Sequence, residues 1–313
     1  MTNNKVKRTA LDRKLDKIRA AEESGKLGTK LTNRTLRKLT SNKLAVIGVA
    51  LFVVICVLCF GAPLFTKYDP MMFDLRAKMA APSVEHILGT DQMGRDIWSR
   101  ILFGGRISII VGLGSALGAA AVGVTLGLYV GYKGGLVDNL LIKVSDIFQS
   151  IPQMVLIIII VALVGQSMEN LIIIFILTGW PGMYRMTRSK VLSLKQQEFV
   201  QALRAFGISD VKIAFKHLLP NTLGPVVVNI TLSTAMFILQ EASLSVLGYG
   251  VPMEIATWGN IINVITNGGT IRFDWLQYWW MWLPCAIMLI LFVLSINFIG
   301  DGLRDASDPT QIG

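Results

Sequence analysis

Charge is what this sequence lacks. Of its 313 residues, 16% are Asp, Glu, Lys or Arg, against about 25% in an ordinary soluble domain. Hydrophobic residues make up 53%, and the mean hydropathy is +0.57. A surface so poor in charge excludes a water-soluble domain. Three cysteines are too few for a disulfide scaffold, and 29 glycines with 10 prolines exclude collagen-like and low-complexity classes. A phosphate-binding loop is missing too. Such a loop needs Gly-x4-Gly-Lys-Ser/Thr to wrap phosphates in backbone amides, and the only Gly-Lys pair, Gly25-Lys26, is followed by Leu27 and lacks the first glycine. What remains is an all-α membrane protein. Six spans of roughly 20 residues would use about 120 positions, which the composition easily supplies.

The charge that is present is unevenly placed. Residues 1–43 carry thirteen Lys/Arg against four acids. A basic tail running straight into an apolar stretch sets topology rather than binding nucleic acid. The charged stretch is too long for a cleaved signal peptide, and no small-residue cleavage site follows. Residues 1–43 therefore read as a cytoplasmic tail, with either an amphipathic helix over residues 9–23 or a partly disordered, solvated stretch over residues 1–30, and with a second short helix around Leu36 and Leu39 suited to the headgroups.

Uncharged or nearly uncharged runs predict spans at residues 44–65, 107–132, 140–165, 170–186, 223–247 and 278–300. Residues 66–104 balance their acids and bases and are expected outside. Residues 105–302 form a five-helix core containing an inner loop at 187–221, and 303–313 form a short inner tail. With both termini cytoplasmic, 23 of the 30 Lys/Arg fall inside, in accord with the positive-inside rule. Trp275, Tyr278, Trp279, Trp280 and Trp282 mark the outer end of the last span as an aromatic belt. Pro152 should kink the third span near its polar inner end. In the second, Ser115, Ala119, Gly123, Gly127 and Gly131 recur every four positions, a small-residue face on which another helix can pack closely.

The inner loop is the most informative segment. Phe199, Ala202, Leu203 and Phe206 share one helical face, and Gly207 suits a left-handed cap. Ser209 is placed to cap a second helix beginning at Asp210, with Val211, Ala214, Phe215 and Leu218 as its stripe and Pro220 as its stop. Two amphipathic helices with no room in the bilayer need cover for their apolar faces, either on the chain's own inner surface or in another subunit.

The stretch Glu198-Phe-Val-Gln-Ala-Leu-Arg-Ala-Phe-Gly207, followed after nine residues by His217-Leu-Leu-Pro220, resembles the "EAA" coupling loop of ABC importer permeases. Gln201 and Leu203 depart from the acid-Ala-Ala triplet, of which Ala202 is retained, and His217 stands where Ile is usual. Four further segments narrow the resemblance to the permeases of dipeptide, oligopeptide and nickel importers. They are His86-Ile-Leu-Gly-Thr-Asp-Gln-Met-Gly-Arg-Asp96, Glu241-Ala-Ser-Leu-Ser-Val-Leu-Gly248, Trp258-Gly-Asn260 and Gly300-Asp-Gly-Leu-Arg-Asp-Ala-Ser-Asp-Pro309.

The resemblance implies a type I importer fold in the bacterial cytoplasmic membrane. Its coupling loop, including Glu198, Arg204 and Gly207, sits in a groove of a cytoplasmic ATPase. It implies a second, homologous permease subunit, two ATPase subunits that hold the ATP and Mg, and an external binding protein that delivers cargo. This chain then binds no cofactor and is not itself an enzyme. Peptide uptake is the expected function, with nickel or a metal chelate as the alternative cargo.

An ion-driven transporter is the competing class. It would place ionisable groups mid-membrane, and Glu241 is the one candidate, since Asp146 lies nearer an inner end. Asn229, Gln240 and Asn297 read as interhelical hydrogen bonders. Cys56 and Cys59 lie inside a span, where packing suits them better than redox chemistry or zinc. His86 and Asp91 are too few ligands for a metal site. His86 and His217 fall on opposite sides of the membrane, which leaves no Ser/His/Asp constellation.

Overall fold

A computed structural model describes residues 40–263, 274 and 276–307. Its regular elements are helical, and among the described residues the only β pairing is an isolated bridge between Thr90 and Asp96. The helix expected over residues 9–23 and Trp275 of the aromatic belt lie outside the described residues.

The first helix, α1 (Lys43–Phe60), is started by Asn42, whose Oδ1 accepts from the amides of Leu44 and Ala45 at 3.0 and 3.3 Å. It lies along the last helix, α9 (Leu283–Ser307). Their approach is close because Gly48 has no Cβ: one would stand 2.7 Å from the Cβ of Phe298.

The second helix, α2 (Ile97–Lys133), has 37 residues and is about 55 Å long. It starts ten residues before the expected span at 107. Asp96 caps it, accepting from the Ser99 amide at 2.8 Å. The arginines that mark this stretch as loop in the sequence find partners within the fold. Arg100 is 1% exposed with Nη1 3.2 Å from Asp91, and Arg106 donates to the Phe60 carbonyl at 3.0 Å.

The expected third span is not one kinked helix. It is two, α3 (Leu136–Ser150) and α4 (Gln153–Val164), meeting at 90°. Pro152 cannot donate to a helical ladder and restricts Ile151 before it to extended backbone, where Ile151 lies at φ −93°, ψ 133°. The next helix, α5 (Met168–Lys195), contains residues 170–186. It is long enough to cross, but Arg185, Arg188, Lys190 and Lys195 follow Tyr184 in quick succession. Among the described residues, four helices are long and apolar enough to span a membrane, and the bent pair adds a fifth at most.

After the short α6 (Glu198–Ala205) the chain enters α7 (Asp210–Val246), which contains a π segment, Ile213–Leu218. Here Pro220 does not end a helix. The wider π turn carries the chain past a residue with no N–H to give, and the inner-loop helix runs straight into the expected fifth span. A last short helix, α8 (Trp258–Ile262), packs into the bundle against α2, α7 and α9. Trp258 is fully buried there, its Nε1 donating to the Ile101 carbonyl at 3.0 Å. It packs with Ile55, Cys59, Ile238 and Phe292 in one core cluster, so Cys59 serves as ordinary core.

Residues 66–96 fold into a tight cap at the start of α2. Asp91 accepts from the Met93 and Arg95 amides and pairs with the Arg95 side chain at 2.6 Å. Trp280, placed in the belt by sequence, is instead 8% exposed and tucked against Gly89 of this cap. Trp279 is 45% exposed.

Candidate functional site

Glu198–Ala205 forms helix with Val200 and Leu203 turned toward the bundle and Gly207 closing its end. Gly207 has φ +72°. Its amide donates to the Arg204 carbonyl at 2.9 Å, and the next amide, Ile208, donates to Leu203 at 3.2 Å. This is a Schellman cap, which satisfies carbonyls otherwise left bare at a helix end.

The two faces of α6 differ. Val200 is fully buried and Leu203 half-buried, both set into an inner cluster with Leu128, Tyr132, Val191 and Leu218. Gln201, Ala202, Phe199 and Phe206 face outward, Phe206 with 82% of its surface exposed. The second stripe divides in the same way. Ala214 and Leu218 are buried, while Val211 and Phe215 stay exposed. Of the two ways to cover these faces, the chain's own inner surface therefore takes one half and leaves the other half bare. Ser209 precedes Asp210 at the start of α7, but its hydroxyl makes no capping bond. His217 is half-buried and its carbonyl accepts from Asn221 at 2.7 Å. Pro220 is exposed near the start of α7.

A residue that no sequence motif marks ties this loop to the bundle. Tyr132, at the end of α2, is fully buried. Its hydroxyl accepts from Arg204 Nε at 2.9 Å, and the same guanidinium lies 5.1 Å from its ring centre. Its carbonyl accepts from Lys195 Nζ at 2.6 Å. A second tie joins α3 to α5. Arg188 grips the Asp138 carboxylate with two nitrogens at 2.7 and 2.6 Å, and Tyr184 donates to it at 2.9 Å. Bidentate pairs of this kind fix orientation as well as distance. Arg185 reaches Asp146 and Ser145 one turn further along. These partners lie about 40 to 70 residues apart, so no local spacing announces them.

Four of the five small residues of α2, Ala119, Gly123, Gly127 and Gly131, lie under α5. A Cβ on Gly123 would stand 2.6 Å from the Trp180 carbonyl and 2.8 Å from the Tyr184 nitrogen; on Gly127, 2.7 Å from Thr187 Cβ; on Gly131, 3.0 Å from Arg188 Cγ. Ala119 is buried beside Gly179 of α5, and Ser115 is buried one turn earlier.

Glu241 is fully buried in α7. Its carboxylate accepts from Ser245 at 3.0 Å and Ser108 at 3.3 Å, and Thr257 also bonds it. Ser108 in turn accepts the Trp258 amide at 3.1 Å. The carboxylate thus ties α2, α7 and the entry to α8 together. His86 and Asp91 do not converge: His86 Nδ1 is 3.0 Å from Asp96, while Asp91 is taken by Arg95 and Arg100. Among the described residues no group of three or more His, Cys, Asp or Glu side chains is placed to hold a metal.

Known proteins are similar to this chain. Residues 123–312 match the model of the binding-protein-dependent transport system inner membrane component family, and residues 30–82 that of the N-terminal TM domain of oligopeptide transport permease C. The oligopeptide transport system permease protein OppC of Bacillus subtilis is 35% identical over 289 residues, 92% of this chain and 93% of that one. The dipeptide transport system permease protein DppC of Alkalihalophilus pseudofirmus is 37% identical over 273 residues, 87% of this chain and 88% of its own. A putative peptide permease protein of Brucella suis is 36% identical over 276 residues, covering 88% and 90%. Among solved structures, an inward-facing form of the MetNI methionine ABC transporter shares the fold at a TM-score of 0.52 and 21% identity, covering 66% of this chain and 96% of that one.

Proposed function

The chain belongs to the family of inner-membrane permease components of binding-protein-dependent ABC importers, in its dipeptide and oligopeptide branch, and we propose that it conducts di- or oligopeptides while separate subunits supply the energy. The observation that carries this reading is the two-sided α6. One side is fixed to the inner ends of α2, α5 and α7 through Val200, Leu203 and the Arg204–Tyr132 contact, and the other presents Phe199 and Phe206. Exposed aromatic surface on a rigidly held helix marks a protein contact. A cytoplasmic ATPase is its partner.

The mechanism follows from that mounting. Closure of an ATPase pair around its own ATP and Mg displaces α6. Tyr132 passes the displacement into α2, Lys195 passes it into α5, and α7 receives it directly. Because α5 lies on the glycine face of α2 with no slack, the two move as one body. An external binding protein releases cargo into the opened cavity, and the partner across it is a second, homologous permease. The six-span topology, with both termini on the side of α6, consists of α1, α2, the α3–α4 pair, α5, α7 and α9. The placement of 23 of 30 Lys/Arg on that side supports it. Peptide cargo rests on the names of the relatives. Catalysis of ATP hydrolysis lies outside this chain, whose sequence has no phosphate loop.

Vesicles holding the assembled complex test this. Uptake of a labelled peptide should need internal-face ATP and the binding protein, and should survive a protonophore. Uptake that persists without ATP but collapses with the proton gradient would overturn the reading.

A further inference from the structure

Where α3 breaks from α4, the middles of α5 and α7 face a cavity of about 290 Å³. Its lining includes Gln149, Gln153, Thr178, Ser233 and Gln240, and among the described residues no charged side chain contributes to it. Along the lining helices, Asp146 and Arg185 pair with each other, and Glu241, next to Gln240, is fully buried and held by Ser108 and Ser245 outside the lining. Uncharged polar groups at this depth are costly unless they find partners. Some have them: Gln240 Nε2 donates to Gln153 Oε1 at 3.1 Å, and Thr178 donates to the Ile174 carbonyl at 2.9 Å. Gln240 Oε1 has none, although the atom is buried. Gly179 lets the Phe237 ring close the floor, and Gly182 leaves backbone open, with nothing within 4 Å of where its Cβ would stand.

This set fits one ligand chemistry. A carboxamide is the side-chain counterpart of a peptide group, donating through N–H and accepting through C=O, and a hydroxyl does either. Such groups can satisfy a main chain of any sequence, while the absence of charge leaves side chains unread. We infer that this cavity is a cargo-contact site, where neutral carboxamides and hydroxyls led by Gln240 and Gln153 hydrogen-bond the main-chain amides of the peptide without regard to its charge. The inference rests on the peptide reading above.

The test gives the wall a charge. Complexes with wild-type chain or Gln240→Glu are reconstituted with their ATPase subunits and binding protein, and uptake of labelled Ala-Glu-Ala and Ala-Lys-Ala is compared. Gln240→Glu should shift the ratio about tenfold toward the lysine peptide, as one unpaired like charge across a partly screened cavity would. An unchanged ratio with uptake intact overturns the inference. If Gln240→Glu stops both peptides, Gln153→Glu across the cavity reads the same ratio, and no shift there overturns it equally. A wild-type complex that takes up neither peptide under ATP defeats the peptide reading itself, a result separable from an unshifted ratio.

Discussion

Gly207→Val should lower ATP-driven uptake by about tenfold or more while leaving the chain folded and membrane-inserted. The position has φ +72°, and nothing lies within 4 Å of where an added Cβ would stand, so the substitution causes no clash. What it opposes is the backbone conformation, at a cost of about 1–2 kcal/mol for an L-residue and more for a β-branched one. The chain relieves that strain by giving up the two capping bonds, Gly207 to Arg204 and Ile208 to Leu203. Leu203 and Arg204 are the residues that seat α6 against the inner cluster and Tyr132, so the exposed Phe206 loses its fixed position. A loss of about 1.4 kcal/mol is tenfold in an equilibrium. Gly207→Asn should fall between the two, because asparagine tolerates the left-handed region. Uptake in vesicles beside the ATPase rate of the same preparation checks this: hydrolysis should outlast transport. Equal transport by all three chains would remove the docking role from this loop.

Gly123→Leu should destabilise the bundle, with a loss of thermal stability in detergent larger than for any other single change in the glycine face. Even its first carbon would meet backbone, the Trp180 carbonyl at 2.6 Å and the Tyr184 nitrogen at 2.8 Å. Backbone cannot rotate away as a side-chain tip can, so α2 and α5 must separate. Overpacking of this kind costs about 1–3 kcal/mol or more. Separation also pulls Arg188 on α5 away from the turn that carries Asp138. Gly114→Ala in the same helix is the control. Nothing lies within 4 Å of its added carbon, and alanine is the better helix former, so the isolated chain should be unchanged or slightly more stable. Comparable losses from both would show that helix propensity, rather than the α2–α5 contact, governs stability.

What can be read from the sequence follows from which forces leave a local trace. Apolar runs and the four-residue spacing of small side chains are local, so the helical class and the face of α2 are both legible. Gly207 is legible because glycine after an amphipathic stretch has a conformational meaning of its own. The apolar residues of the inner loop are legible as a stripe, but not its division into a buried and an exposed half, since that depends on where the ends of α2 and α5 lie. Prolines mislead in two directions. Pro152 marks a right-angled break rather than a kink, and Pro220 rides inside a helix because a π turn precedes it. The early start of α2 is hidden by Arg100 and Arg106, of which the first pairs with Asp91 and the second donates to the Phe60 carbonyl. Tyr132 and the Asp138–Arg188 pair are invisible, being ordinary residues joined across distant stretches of chain.

Transport of the kind proposed requires α6 to meet an ATPase on the cytoplasmic side. Phe206→Cys, on a chain with Cys56 replaced by Ser and treated with a membrane-impermeant maleimide, measures this most directly, because Phe206 is 82% exposed while the remaining Cys59 and Cys285 are buried. Inverted vesicles stripped of ATPase subunits should label rapidly, the same vesicles with the subunits restored should be protected, and intact cells should not label. Labelling of intact cells, or labelling indifferent to the ATPase subunits, would contradict the assignment.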